Sequence, residues 1–411
     1  MEHTHPKQLS LFSIPVLVAA LGYFVDIYDL LLFGIVRVES LRSLNLSEEM
    51  VKSAGESIIS YQMVGLLLGG IGWGVLGDKK GRLSVLFGSI LLYSLANIAN
   101  GFVQTVAQYE WCRFIAGIGL AGELGAGITL VSELIPKERR GVATSLVAGV
   151  GLTGAVVAFF ISEQFHWRTC YYIGGGLGLM LLLLRISVFE SGMFTRIKHE
   201  AVSRGNFLMF FTNRRRFKKY LMAILIGLPT WYVIGILVTF SKEFGEHFNL
   251  DEPIKPGKGI MLAYVAISVG DILIGLVSQW LRSRKKALFL FYGLTIIGIV
   301  LFFMQQNGTA ANMYLICAFL GFGTGFWAIF VTMAAEHFGT NLRATAATTA
   351  PNMVRGSLPL MLMLFAWLQD GAGLTYINAG IVTGGVVMTI TLVAAFFTEE
   401  TFGKDLNFLE Y

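Results

Sequence analysis

Two acidic residues, Asp26 and Asp29, lie three positions apart in the apolar stretch GYFVDIYDLLLFG, residues 22–34. In a helix this spacing places both carboxyl groups on one face. A buried carboxyl group can take up or release a proton, depending on whether a positive charge faces it. The pair therefore predicts proton chemistry, if the stretch is buried.

Four more ionisable residues stand inside later apolar stretches: Arg113, Glu123, Asp271 and Arg355. At the centre of a bilayer such a side chain costs at least about 2.5–3.5 kcal/mol, so each needs a partner or an aqueous cavity. We expect either a functional site or static ion pairs.

Arg355 indicates the type of substrate, because a guanidinium presents a planar fork of donors that suits a carboxylate or phosphate. The alternative is a structural Asp271–Arg355 ion pair. Ligand sites usually combine apolar walls with a few polar groups. Candidate substrate-binding residues are Arg355, Asp271, Tyr28, Gln62, Tyr232, Trp327 and Asn352.

The elements that must position these residues are predicted to be transmembrane helices. Of 411 residues, 55% are hydrophobic and 14% are charged, whereas roughly a quarter of a soluble domain is charged. Each apolar segment is long enough to cross a hydrocarbon core of roughly 30 Å. About twelve spans are predicted, at 12–37, 57–77, 83–103, 107–135, 142–162, 169–190, 219–241, 259–281, 286–305, 310–337, 344–368 and 374–397. Pro229 and Pro359, each near a glycine, predict kinks in the seventh and eleventh spans.

Most basic residues lie in alternate connections, which predicts that both termini are cytoplasmic. The net charge of +5 is therefore no sign of nucleic-acid binding. A long basic connection, 192–217, separates six-helix units at 1–191 and 218–411. It is expected to form either an amphipathic helix on the anionic inner leaflet or a solvated linker.

Other classes of protein are disfavoured. Three cysteines fall within predicted spans and suggest neither a disulfide framework nor a metal site. Six histidines are scattered, and no nucleophile elbow or phosphate loop is present. We expect no enzyme, metal or cofactor.

The two halves repeat each other, and several motifs point to one family. GVLGDKKGR (74–82) has a counterpart in GLVSQWLRSRKK (275–286), as expected of a duplicated transporter. The first motif resembles the G-x-x-x-D-[RK]-x-G-R signature of the major facilitator superfamily. RFIAGIGLAGELG (113–125) and DIYDL (26–30) resemble its metabolite–proton and aromatic acid–proton symporters, and EETFGKDLNFLE (399–410) resembles the sugar porter tail.

The resemblance implies an all-α membrane protein of about twelve transmembrane helices in two pseudo-symmetric six-helix bundles. It also implies a charge network that closes the cytoplasmic mouth. The predicted gate residues are Asp78, Arg82, Glu133, Arg140, Glu190, Glu336 and Arg343.

The leading hypothesis is a proton-coupled importer of a small mono- or dicarboxylate in a bacterial inner membrane, acting as a monomer. The proton-coupling candidates are Asp26, Asp29, Arg113 and Glu123, with Asp29 favoured as the proton carrier and Asp26 as the contact of Arg113 or substrate. A sugar or polyol porter is the first alternative. A cation, metal or drug carrier that uses the buried carboxylates directly is the second.

Overall fold

The computed structural model describes residues 14–80, 82–123, 140–190 and 207–404. All regular elements in these ranges are helical. The first half contains α1 (Ile14–Arg42), α2 (Glu48–Lys80), α3 (Arg82–Asn100), α4 (Val106–Leu120), α5 (Arg140–Gln164) and α6 (Trp167–Glu190).

The second half is more broken. Its elements are α7 (Met209–Thr212), α8 (Arg214–Leu225), α9 (Leu228–Tyr232), a π-helical segment (Val233–Val238), α10 (Ser241–His247), α11 (Pro256–Trp280), α12 (Arg284–Phe303), α13 (Ala310–Gly323), α14 (Trp327–Glu336), α15 (Thr340–Arg355), α16 (Leu358–Asp370) and α17 (Tyr376–Phe397). Each of the twelve predicted spans overlaps one of these helices or a consecutive set. Within the described residues, eight segments are long and apolar enough to cross a membrane.

The predicted kinks are confirmed. The seventh span is interrupted between α8 and α9 at Gly227, with Pro229 in the first turn of α9. The eleventh is interrupted between α15 and α16, with Pro359 in the first turn of α16. Proline suits a first turn because it has no N–H to donate. The tenth span also breaks, between α13 and α14, where no proline stands.

The first half is held by close helix packing. A Cβ atom on Gly65 of α2 would lie 2.2 Å from the carbonyl oxygen of Phe114 on α4. A Cβ atom on Gly117 of α4 would lie equally close, 2.2 Å, to the carbonyl oxygen of Gln62. The missing side chains let the two backbones touch, as small residues do between membrane helices.

The two halves are joined by charged contacts where α1 ends and α2 begins. Arg37 of α1 is fully buried and lies 2.7 Å from Glu243 of α10. Its guanidinium also donates to the carbonyl oxygen of Thr239, at 3.2 Å, just after the π-helical segment. Lys52 of α2 donates to Gln369 of α16 at 2.9 Å. These contacts close this end of the bundle.

Residues after the last helix are tied back to the second half. Glu400 accepts hydrogen bonds from the backbone N–H groups of Arg284 (3.0 Å) and Lys285 (3.2 Å) and from the Ser283 hydroxyl. Partial burial acts to raise the pKa of Glu400, but these bonds outweigh it and hold the pKa below its ordinary value. The carboxylate thereby caps the positive end of α12.

Candidate functional site

Asp29 and Arg113 form a buried ion pair between α1 and α4. Arg113 Nη1 lies 3.2 Å from Asp29 Oδ1, and neither side chain is exposed. Arg113 also donates to the amide oxygen of Asn97 on α3, and its guanidinium lies 4.9 Å from the ring centroid of Tyr171. Asp29 is therefore neutralised within the first half. The expected contact of Arg113 with Asp26 is wrong, because α4 meets α1 at the level of Asp29.

Asp26, one turn earlier on the same helix, is in a different situation. It is fully buried, and neither carboxyl oxygen has a hydrogen-bond partner in the described part of the chain. Arg355 attracts its charge, whereas Glu123 and Asp29 repel it. A buried acid in this position is costly when ionised. Asp26 thus differs from Asp29 in having no direct partner in the described part of the chain.

Arg355 ends α15 at the interface of the two halves. It is 2% exposed, donates to the Asn352 amide oxygen at 3.3 Å, and its guanidinium lies 5.9 Å from the Trp327 ring centroid. Its Nε atom is buried without a hydrogen-bond partner among the described residues. Asn352 in turn donates to the Ala121 carbonyl oxygen of the first half, at 3.0 Å. The fork of Arg355 thus keeps donors available for an anion.

Two tyrosines missed in the sequence adjoin this site. Tyr23 of α1 and Tyr264 of α11 both lie within electrostatic range of Asp26 and Arg355. The signal available was the spacing of Tyr23, three residues before Asp26, which places the two side chains on one helical face. No pattern in the sequence marked Tyr264.

Asp271 does not pair with Arg355, so the predicted ion pair is wrong. Its carboxylate accepts the backbone N–H of Ala328, at 2.9 Å, in the first turn of α14. The break between α13 and α14 leaves N–H groups without helical partners. Asp271 satisfies one of them, which gives this acid a structural contact, and its predicted role in binding substrate stays a prediction.

Glu123 is also fully engaged. Its two carboxyl oxygens accept from Arg185 of α6 at 3.0 and 2.9 Å, and the Ser89 hydroxyl donates to it at 3.1 Å. A Cβ atom on Gly22 of α1 would lie 2.2 Å from Arg185 Nη2, so the pair rests directly against α1. Arg185 was not among the residues predicted from the sequence, although it stands in the apolar run LLLLRIS.

Other predicted binding residues lie apart from Asp26 and Arg355 or serve packing. Tyr28 donates to the Cys170 carbonyl oxygen at 2.9 Å, and Tyr232 donates to the Gly380 carbonyl oxygen at 2.7 Å. Each bond lies within one half. These two hydroxyls therefore link neighbouring helices within each half.

Gln62 lies beside a small cavity between the halves. Its amide donates to the Leu30 carbonyl oxygen at 3.1 Å. The cavity is otherwise mostly apolar, and its lining includes Phe33, Gly34, Met63, Trp231, Thr239 and Leu358. Of the predicted binding residues, the structure thus brings Trp327 and Asn352 to Arg355 and places Gln62 at this cavity.

Comparison with known proteins decides the family. The model of the Major Facilitator Superfamily matches residues 19–360. The chain belongs to this superfamily.

Characterised members include similar transporters. The chain is 26% identical to the niacin transporter NiaP of Acinetobacter baylyi, over 95% of this chain and 94% of the relative. It is also 26% identical to the 3-(3-hydroxy-phenyl)propionate transporter of Escherichia coli K12, over 82% and 84%. The solved structure of the proton:xylose symporter XylE matches with a TM-score of 0.68 at 18% identity, over 96% and 97%.

As a superfamily member, the protein is a multi-pass membrane transporter and not an enzyme. Its fold is the all-α arrangement of about twelve transmembrane helices in two six-helix bundles. The predicted fold class and family are confirmed.

The charge network of the superfamily signature is described only in part. Glu336 pairs with Arg284 at 3.4 Å and accepts from the Thr401 hydroxyl at 2.6 Å. Arg343 also belongs to the described residues and is within electrostatic range of Glu336. The remaining gate predictions concern residues or side chains outside the described part: Asp78, Arg82, Glu133, Arg140 and Glu190.

Proposed function

We propose that the protein is a proton-coupled symporter that imports a small organic anion, with a carboxylate as the recognised group. The observation that carries the proposal is a buried acid in one half and a buried guanidinium in the other, each with polar atoms that lack a hydrogen-bond partner among the described residues. Asp26 has no hydrogen-bond partner among the described residues, and Arg355 is the attractive charge that acts on it. The first binds the proton and the second binds the carboxylate.

Coupling follows from competition for Arg355. Without substrate, Arg355 partly compensates the negative charge of Asp26. A substrate carboxylate that binds Arg355 removes this compensation and adds a like charge, which disfavours the ionised form of Asp26. Asp26 therefore takes up a proton when substrate binds. Substrate and proton then load together, which is the requirement for symport.

The residues around Arg355 favour a substrate that carries a ring. Trp327, Tyr23 and Tyr264 offer aromatic surfaces near the guanidinium, and aromatic rings stack favourably on such surfaces. Niacin and 3-(3-hydroxy-phenyl)propionate, named for two relatives, each combine a ring with one carboxyl group. We take substrates of this kind as the first to test.

In an alternating-access cycle, the contact between Arg37 and Glu243 would act as a gate at one end of the bundle. The positive-inside pattern supports an orientation with both termini in the cytoplasm of a bacterial cell, and in this orientation the end held by Arg37 and Glu243 faces outside. The units at 1–191 and 218–411, joined by 192–217, rock against each other around the midplane site. The contacts of Arg37 break when substrate enters and re-form before release.

The test is uptake into proteoliposomes with an imposed pH gradient. We expect accumulation of labelled nicotinate or 3-(3-hydroxyphenyl)propionate when the outside is acidic, together with proton uptake triggered by substrate. Xylose serves as the neutral comparison. Gradient-driven accumulation of xylose without that of any carboxylate would establish a sugar porter instead. Uptake of a carboxylate that ignores the pH gradient would exclude the role of Asp26.

A further inference from the structure

A second surface lies away from the transport site, at the start of the second half. Residues 207–219, FLMFFTNRRRFKK, form α7 and the beginning of α8; we call them the α7–α8 surface. Phe210 stacks on Tyr220 with ring centroids 4.3 Å apart and meets Phe338 edge-on at 4.9 Å. Phe210 and Tyr220 are buried. The segment is therefore fixed to the bundle, and its outward face has a defined orientation.

That outward face combines apolar and basic side chains. Leu208, Phe211 and Phe217 are 61%, 51% and 40% exposed. Between them in the chain are the exposed residues Arg214 and Arg215. Residues 207–219 include five basic residues, of which Arg216 is buried, and no acidic one. Exposed aromatic and basic groups side by side are typical of helices that lie at a membrane interface.

The surface also stands at the boundary of the membrane. Arg214 begins the apolar segment Arg214–Val238. The ammonium group of Lys218 lies 6.0 Å from the ring centroid of Phe397, which ends α17. The start of Arg214–Val238 and the end of α17 therefore lie at the same depth in the bundle. Phospholipid headgroups are expected at this level, where the apolar segments end.

We infer that the α7–α8 surface is a docking site for the acidic headgroups of one bilayer leaflet. The basic residues attract anionic phosphates, while Leu208, Phe211 and Phe217 enter the acyl boundary. Arginines in the first turn of α8 add to the positive end of the helix, where an anion is favourable. The surface holds the start of the second half against the membrane while the two halves move.

The first experiment measures lipid binding by the full chain. Purified protein in a neutral detergent is titrated with short-chain phosphatidylglycerol, and bound lipid is counted by native mass spectrometry. Phosphatidylcholine is the uncharged comparison. We expect preferential binding of phosphatidylglycerol that weakens as salt screens the charges. Equal binding of both lipids would overturn the inference.

The second experiment removes the charges. Each basic residue near an anionic surface contributes about fivefold in affinity, so R214Q with R215Q is expected to weaken phosphatidylglycerol binding roughly thirtyfold. The conservative pair R214K with R215K keeps the charge and is expected to keep binding, which separates charge loss from misfolding. The matched control is R282Q with K286Q, which removes two exposed basic residues in another connection and is expected to bind as the parent does. Unchanged affinity in the R214Q/R215Q protein would refute the site.

A third comparison identifies the kind of anion. F211S is expected to weaken binding of phosphatidylglycerol and to leave any binding of inorganic phosphate unchanged. If inorganic phosphate or a soluble poly-glutamate binds as tightly as the lipid, the surface recognises a free anion or an acidic protein and the inference is wrong. The readouts are independent of transport, so a failed transport assay leaves them intact.

Discussion

Asp26 and Asp29 occupy one face of one helix, and both are fully buried, yet their surroundings differ in kind. Asp29 is paired with Arg113 at 3.2 Å. Asp26 has no hydrogen-bond partner in the described residues and is influenced by Arg355 from the other half. A paired acid fastens helices together, whereas an unpaired acid at an interface responds to what approaches it. One turn of helix thus separates an acid held in an ion pair from the acid that we propose as the proton carrier.

The largest effect is expected from D26N, because asparagine keeps the shape of the side chain and cannot carry a proton. We expect gradient-driven accumulation of substrate to be lost while exchange of labelled for unlabelled substrate continues. Both are measured in the same proteoliposomes. If D26N still accumulated substrate along the pH gradient, Asp26 would not be the proton carrier and would not differ from Asp29 in this respect.

D29N should act mainly on stability. The substitution leaves the buried charge of Arg113 without its partner, which costs about 3–5 kcal/mol. Combining D29N with R113Q removes both charges and should recover much of the loss. Thermal unfolding in detergent compares the three proteins. A double variant as unstable as D29N alone would show that the pair does not explain the burial of Asp29.

In the proposed mechanism Asp26 and substrate compete for Arg355, so R355K sharpens the comparison. Lysine keeps the charge and loses the planar fork. Hydrogen bonds to charged groups contribute about 1.5–3 kcal/mol, so substrate affinity should fall roughly ten- to a hundredfold, with proton coupling retained. The measurement is the substrate concentration at half-maximal uptake with and without the pH gradient. Unchanged affinity would exclude Arg355 as the anchor.

The smallest effect is expected from S89A. The variant deletes one of the three hydrogen bonds to Glu123 and leaves both bonds from Arg185, so the loss of stability should be about 1 kcal/mol. Transport should be unchanged, as measured by uptake at saturating substrate. A strong loss of gradient-driven uptake in S89A would point to Glu123 as a second coupling acid.

The fold could be predicted from the sequence because each apolar segment of this length has to cross the bilayer as a helix, in which all backbone hydrogen bonds are made internally. Pro229 and Pro359 also marked their helix breaks. The break before Trp327 was missed, since Gly325 and its neighbours give no comparable signal. The capping role of Asp271 depends on that break and was missed with it.

The charges themselves were found by sequence, but most of their partners were not. Which acid meets Arg113 depends on where α4 crosses α1, and a spacing of three residues leaves both possible. Arg185 and Arg37 also lie in apolar runs. They could have been selected as Arg113 was, as charged residues inside an apolar stretch. Their partners, Glu123 and Glu243, come from distant parts of the chain, so only the packed structure pairs them.

The hydrogen bonds of Glu400 have a consequence for how the protein is made. The acceptor for the first N–H groups of α12 lies 116 residues later than Arg284 in the chain. While the second half is being synthesised and inserted, Ser283 can already cap the Lys286 N–H, but the N–H groups of Arg284 and Lys285 still lack the acceptor that Glu400 provides. Residues that follow α17 therefore complete a helix inserted several spans earlier. Trimming the chain before Glu400 should impair late assembly more than the insertion of any single helix.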